Sequence, residues 1–129
     1  MLIIKQYRIF RQDIQNNRQV LYVFGDNLER IGFGGQAKEM RGEVNSFGFA
    51  TKRKVAHGTD DCYFHDGQYD LPEILEEEFK RLCKSIAEND YHAVVLPLDG
   101  IGTGLSKLPE YAPKFLKKIN FLLGELKYL

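Results

Sequence analysis

What this sequence lacks narrows it first. It has no net charge, because eighteen Lys and Arg residues balance eighteen Asp and Glu residues. A neutral chain has no bulk electrostatic pull toward nucleic acid or an anionic membrane, and only a local patch can serve either partner. Cysteine is scarce. Cys62 falls in an expected loop and Cys83 on the apolar face of an expected helix, which is no disulfide framework. No apolar run approaches the roughly 20 residues that span a bilayer, so no membrane partner is expected. The opening MLIIKQYRIF lacks a long apolar core and a small-residue cleavage site, so no signal peptide is expected. A reduced, cytoplasmic setting is the default for such a chain. Internal repeats, low-complexity tracts and Pro/Gly/Ser linkers are also missing. The 129 residues therefore parse as one domain, and 43% apolar content is enough to build a core without staples.

What is present is an alternation of strand and helix patterns. Ile3 to Phe10 reads as a strand and the polar Arg11 to Gln19 as a turn. Val20 to Phe24 (VLYVF) is a continuous apolar run, which suits a strand buried on both faces. A short helix is expected from near Gly34, turning Ala37 and Met40 inward and ending before Gly42. Ser46 to Thr51 reads as a strand, and Cys62 to Phe64 as a brief one. Asp70 and Glu73, with Pro72 in the first turn, resemble a capping box. Leu71, Ile74, Leu75, Phe79, Leu82, Cys83, Ile86 and Ala87 then recur at helical spacing. Ala93 to Leu98 is a second buried strand, and a last helix starts between Pro109 and Pro113. Such alternation predicts an α/β fold with a mainly parallel sheet, whose ligands bind at the carboxyl ends of the strands.

Two glycine-rich loops leave from those ends. The first follows VLYVF: Gly25, Asp26 and Asn27, then Gly32, Phe33, Gly34 and Gly35. Glycine lets a ligand approach the backbone, and a helix start beyond Gly35 favours an anion. Asp26 can accept from a base amino group or a ribose hydroxyl, and Asn27 can donate and accept. An Asx-turn or helix cap explains either residue equally well. The second loop follows the Ala93–Leu98 strand: Asp99, Gly100, Ile101, Gly102, Thr103 and Gly104. Alternating glycines can expose successive N–H groups as a phosphate-binding nest. A wide, flexible turn is the plainer explanation of that loop.

This order of strand, Asn, Gly-Gly loop and helix, then strand, Pro, Gly-x-Gly loop and helix, resembles the macro domain. Asn27, Gly34 and Gly35 match its first loop, and Gly100 to Leu105 match its diphosphate loop. The resemblance runs from about Val20 to the C-terminus. It implies a three-layer macro-domain-like fold with a mainly parallel mixed central sheet, and ADP-ribose or a related NAD-derived nucleotide as ligand. The middle segment FATKRKVAHG, Phe49 to Gly58, is similar to a subgroup of ADP-ribosyl hydrolases. That subgroup includes the terminal ADP-ribose protein glycohydrolase and antitoxin domains that strip ADP-ribose from DNA. It implies Lys52 as a catalytic lysine able to form a Schiff base with opened ribose, and ADP-ribosylated DNA or protein as partner. Where the subgroup has an acidic residue after Gly-x-Gly-Leu, this chain has Ser106. Asp99 and Asp26 are candidate replacements. Lys52, Asn27 and Asp99 are thus the candidate catalytic residues. Asp26, Asn27, Gly32, Phe33, Gly34, Gly35, Gly100, Ile101, Gly102, Thr103 and Gly104 are the candidate ligand contacts.

Other residues admit plainer uses. Lys52, Arg53, Lys54 and His57 can contact nucleic acid or simply form a solvated loop. Tyr63, Phe64 and Tyr69 read as core or lid residues more readily than as base-stacking ones. Phe47 reads as core. Cys62 and His65 lack zinc-ligand spacing, and no metal or cofactor is expected. Three functions stay open: an ADP-ribose binder that hydrolyses, a binding module that does not, and a nucleic-acid-associated protein using Lys52 to Lys54.

Overall fold

The computed structural model describes residues Met1–Leu129. Four strands form one sheet: β1 (Leu2–Gln6), β2 (Val20–Asn27), β3 (Ser46–Lys52) and β4 (Ala93–Pro97), in the spatial order β1-β4-β2-β3. Every pairing is parallel, in line with the mainly parallel sheet that the strand–helix alternation predicts, whereas the macro-domain resemblance implies a mixed one. The reason lies in the first connection. Arg11–Asn16 is not a turn but a helix, α1, and a helical crossover lets the next strand run parallel. Asp13 supports its start by accepting from the Phe10 N–H at 2.9 Å, and Ile14 is buried.

The other helices are α2 (Ala37–Met40), α3 (Leu71–Asn89), α4 (Leu108–Tyr111) and α5 (Pro113–Glu125). They cover both sheet faces, giving three layers. Alternation along the strands sorts the core accordingly. Tyr22, Phe24 and Val95 pack with Ile14 of α1 and Ala37 and Met40 of α2. Leu21, Val23, Val94 and Leu96 pack on the opposite face with Leu75, Leu82 and Ile86 of α3 and Phe115, Ile119 and Leu123 of α5. No helix is long and apolar enough to cross a membrane.

Several local expectations change. Cys62 to Phe64 is not a strand; a 3-10 turn at Asp60–Cys62 stands there. Asp70 makes no side-chain cap for α3, because Arg53 grips its carboxylate with two bonds of 2.8 and 2.7 Å. Ala87 is exposed, and the charged Glu78 takes a buried place on the inner face of α3. Cys62 and Cys83 are both free thiols.

Neighbouring β2 and β4 send their chains to opposite faces. The loop after β2 leads to α2, and the loop after β4 leads to α4 and α5. That divergence opens a crevice at their carboxyl ends, the usual place for a ligand in a parallel sheet.

Candidate functional site

The end of β2 is shaped by an irregularity against β3. Asp26 pairs with Ala50, but Asn27 pairs with Lys52, so Thr51 is skipped. Such a bulge re-aims side chains at a strand end. Here it sets Asn27 beside Lys52. Both line a small open cleft with Gly25, Gly32, Gly34 and Ser106.

Lys52 is only 4% exposed. Its Nζ donates to the Ala56 carbonyl at 2.9 Å and lies 2.9 Å from His57 Nδ1. It also sits 4.9 Å from the centre of the Tyr63 ring. Burial pushes the Lys52 ammonium below its ordinary range; the Cys62 thiol opposes this and the Lys107 charge adds to it. Desolvation at the cleft wall, then the charges of Lys52 and Lys107, likewise lower the pKa of His57.

Asn27 donates from Nδ2 to the Ile31 carbonyl at 2.9 Å. Its Oδ1 has no partner, and it is the one buried side-chain polar atom of the chain in that state. Buried acceptors are nearly always satisfied, so this orphan sets Asn27 apart among the residues that line the cleft.

Asp26 does not face a ligand with free oxygens. Arg41 grips both carboxylate oxygens, and the Asn27 N–H donates to Oδ1 at 2.8 Å. Arg41 also donates to the carbonyls of Arg30, Ile31 and Gly32. Asp26 and Arg41 therefore hold the first loop in shape. A second ion pair anchors the same loop: Arg30 donates to both Glu78 oxygens at 2.7 and 2.5 Å. Arg30 has φ +60°, a left-handed conformation costly for a non-glycine residue, and this pair holds it there.

The two loops are stapled together by Gln36. Its Oε1 accepts from the Gly25 N–H at 2.9 Å, and its Nε2 donates to the Gly100 carbonyl at 3.2 Å. Close approach requires glycine at two places. A side chain on Gly25 would meet the Gly102 nitrogen at 3.1 Å. One on Gly102, whose φ is +81°, would collide with Leu108 at 2.3 Å.

The remaining candidates divide. Ile101 is 1% exposed and belongs to the core, so its side chain is no ligand contact. Asp99 is exposed and lines two other cavities, not the Lys52 cleft; it is not placed to act as that lysine's acid. Gly35 lies in one of these cavities with Tyr7, Arg8, Ile9, Gln36, Leu98 and Asp99, and Gly100 in the other. Thr103 and Gly104 are exposed on the second loop, and the Thr103 hydroxyl donates to the Asp99 carbonyl. Phe33 is 65% exposed within the first loop, while Phe47 is buried. Ser106 is buried, its Oγ 2.6 Å from Thr51 Oγ1. Thr51 in turn donates to the Asp26 carbonyl, so the Ser106 proton points to Thr51.

The basic run does not form a patch. Lys52 turns into the cleft, Arg53 is tied to Asp70, and Lys54 pairs with Asp61 at 2.6 Å. Tyr63 and Phe64 are buried, and Tyr69 is exposed. The sequence gives no signal for the roles of Arg41, Gln36 or Glu78, because each depends on a partner distant in the chain.

A family model matches residues 4–121: a family of unknown function, DUF7831. The chain belongs to that family. No curated protein and no solved structure matches it. For this DUF7831 member, the cleft itself carries the functional argument.

Proposed function

We propose that the chain is a macro-domain-like protein that binds ADP-ribose or a related NAD-derived nucleotide. The distal ribose occupies the Lys52 cleft, and the diphosphate lies on the two glycine loops. One observation carries this reading: Asn27 Oδ1 is buried and unpartnered beside a buried lysine. An unpaired buried acceptor costs about 1–3 kcal/mol, which a ribose hydroxyl relieves by donating to it. The loops supply backbone N–H groups at the ends of adjacent strands, a setting that suits phosphate. Gly34 lines the Lys52 cleft and its neighbour Gly35 lines the Tyr7–Asp99 cavity. A ligand crossing the loops reaches both. The base then sits in the second cavity, where Tyr7 offers an aromatic face and Asp99 an acceptor for an exocyclic amino group.

The reading extends to hydrolysis of ADP-ribose from modified DNA or protein. A lysine whose burial favours the neutral amine is a nucleophile for the anomeric carbon. Lys52 displaces the modified group, and water then releases ADP-ribose from the lysine. The test is turnover of ADP-ribosylated DNA and protein by the wild-type chain and by Lys52→Ala. Release by the wild type and a loss of at least about a hundredfold in the variant are expected. Full activity in the variant removes the lysine from the mechanism. Tight binding with no turnover by the wild type leaves a non-catalytic reader, which the absence of an unpaired carboxylate in the cleft favours.

A further inference from the structure

We infer that His57 is the proton carrier for Lys52, filling the role that no carboxylate in this cleft is free to take. This rests on the reading of Lys52 as a nucleophile, but it names a residue that reading does not require. The geometry is direct. His57 Nδ1 lies 2.9 Å from Lys52 Nζ, and both residues line the same cleft. An amine nucleophile is activated by a base within hydrogen-bond reach, and the base works best when a third group orients it. Two bonds hold the backbone that carries this base. The Tyr63 hydroxyl donates to the His57 carbonyl at 3.2 Å. Lys52 Nζ also holds the preceding carbonyl, that of Ala56.

The alternatives in the cleft are occupied. Asp26 gives both oxygens to Arg41, and Ser106 is bonded to Thr51. His57 is exposed, so it can exchange a proton with water or a leaving group, whereas Lys52 is enclosed. Desolvation, then the charges of Lys52 and Lys107, hold the His57 pKa below its ordinary value, which favours the neutral imidazole that can accept a proton.

The proton path closes. The Lys52 ammonium gives one proton to His57, leaving a neutral amine. The amine lone pair forms the bond to the anomeric carbon, the bond from that carbon to the modified group breaks, and the departing atom takes the proton from His57. His57 then accepts a second proton from the substituted nitrogen. Water adds to the anomeric carbon, the carbon–nitrogen bond breaks, and with the proton returned by His57 the ammonium is restored. The net change is addition of one water across the bond cleaved.

The experiment measures how fast Lys52 is alkylated by glycolaldehyde with cyanoborohydride, read by peptide mass. This probe needs no nucleotide. The variants are His57→Asn and His57→Ala, with thermal unfolding as a check on folding. His57→Asn is expected to slow labelling of Lys52 at least about tenfold at pH 7. Added imidazole is expected to restore much of the rate in His57→Ala and to do nothing for the wild type. Labelling of folded His57→Asn within about twofold of wild type, or no response of His57→Ala to imidazole, overturns the assignment. If His57 controls labelling but ADP-ribose neither binds nor reacts, the dyad stands and the nucleotide reading falls.

Discussion

At the scale of single residues, the site depends on what each polar group has left over. Asp26 and Asn27 are neighbours with similar chemistry, and the sequence makes both ligand candidates. The fold separates them. Arg41 uses up Asp26, while Asn27 keeps one buried acceptor free. Asn27 is legible from its place between a buried strand and a glycine loop, and Lys52 through the resemblance of FATKRKVAHG to the hydrolase subgroup. Motif reading cannot find Arg41, which is fourteen positions beyond the strand and acts through carbonyls of the loop it closes. Asn27→Ala removes the orphan acceptor and the loop contact to Ile31 together. It is expected to weaken ADP-ribose binding about 10- to 100-fold, a loss of about 1–3 kcal/mol, measured by calorimetry. Unchanged affinity in the folded variant contradicts the role given to Oδ1.

At the scale of elements, periodicity was a good guide where one face of the element is apolar. Strand β4 and helix α3 follow the sequence pattern closely, since burial on a sheet or helix face enforces it, while β2 runs on through Gly25, Asp26 and Asn27, which the sequence pattern assigns to the loop. Helix α1 was hidden because it buries one residue, Ile14, and is otherwise held by polar ties. One such tie is Glu43, which accepts from Arg11 at 2.9 Å and Gln15 at 3.0 Å in the helix and from Arg18 at 2.7 Å just beyond it. These bonds, Arg11 and Arg18 first, hold the Glu43 carboxyl down at about 2 against an ordinary 4.5. A carboxyl lowered by folding stabilises the fold above its unfolded value, and that contribution is lost as pH falls through the folded one. The melting temperature is therefore expected to fall between pH 4.5 and 2, and Glu43→Gln to flatten that part of the decline. An equal decline in the wild type and Glu43→Gln removes Glu43 from the account.

At the scale of the molecule, the α/β class was legible and the parallel arrangement of the sheet only partly so. Strand order depends on which crossovers are helical, and a six-residue polar helix leaves little trace in sequence. The crevice follows from that order. With β4 beside β2, the glycine loops meet, Gln36 joins them, and the bulge between β2 and β3 brings Asn27 to Lys52. The molecule thus gathers a buried lysine, a histidine 2.9 Å from it, an unpaired acceptor and two backbone loops at one end of one sheet. The central claim is that this end holds ADP-ribose. The most direct measurement is an amide-resolved NMR titration of the wild-type chain with ADP-ribose. Saturable shifts are expected at Gly32, Gly34, Gly35, Gly100 and Gly102 and at the Asn27 side-chain amide, with the outer faces of α3 and α5 unmoved. No shifts at millimolar ligand, or shifts confined to those outer faces, would contradict it.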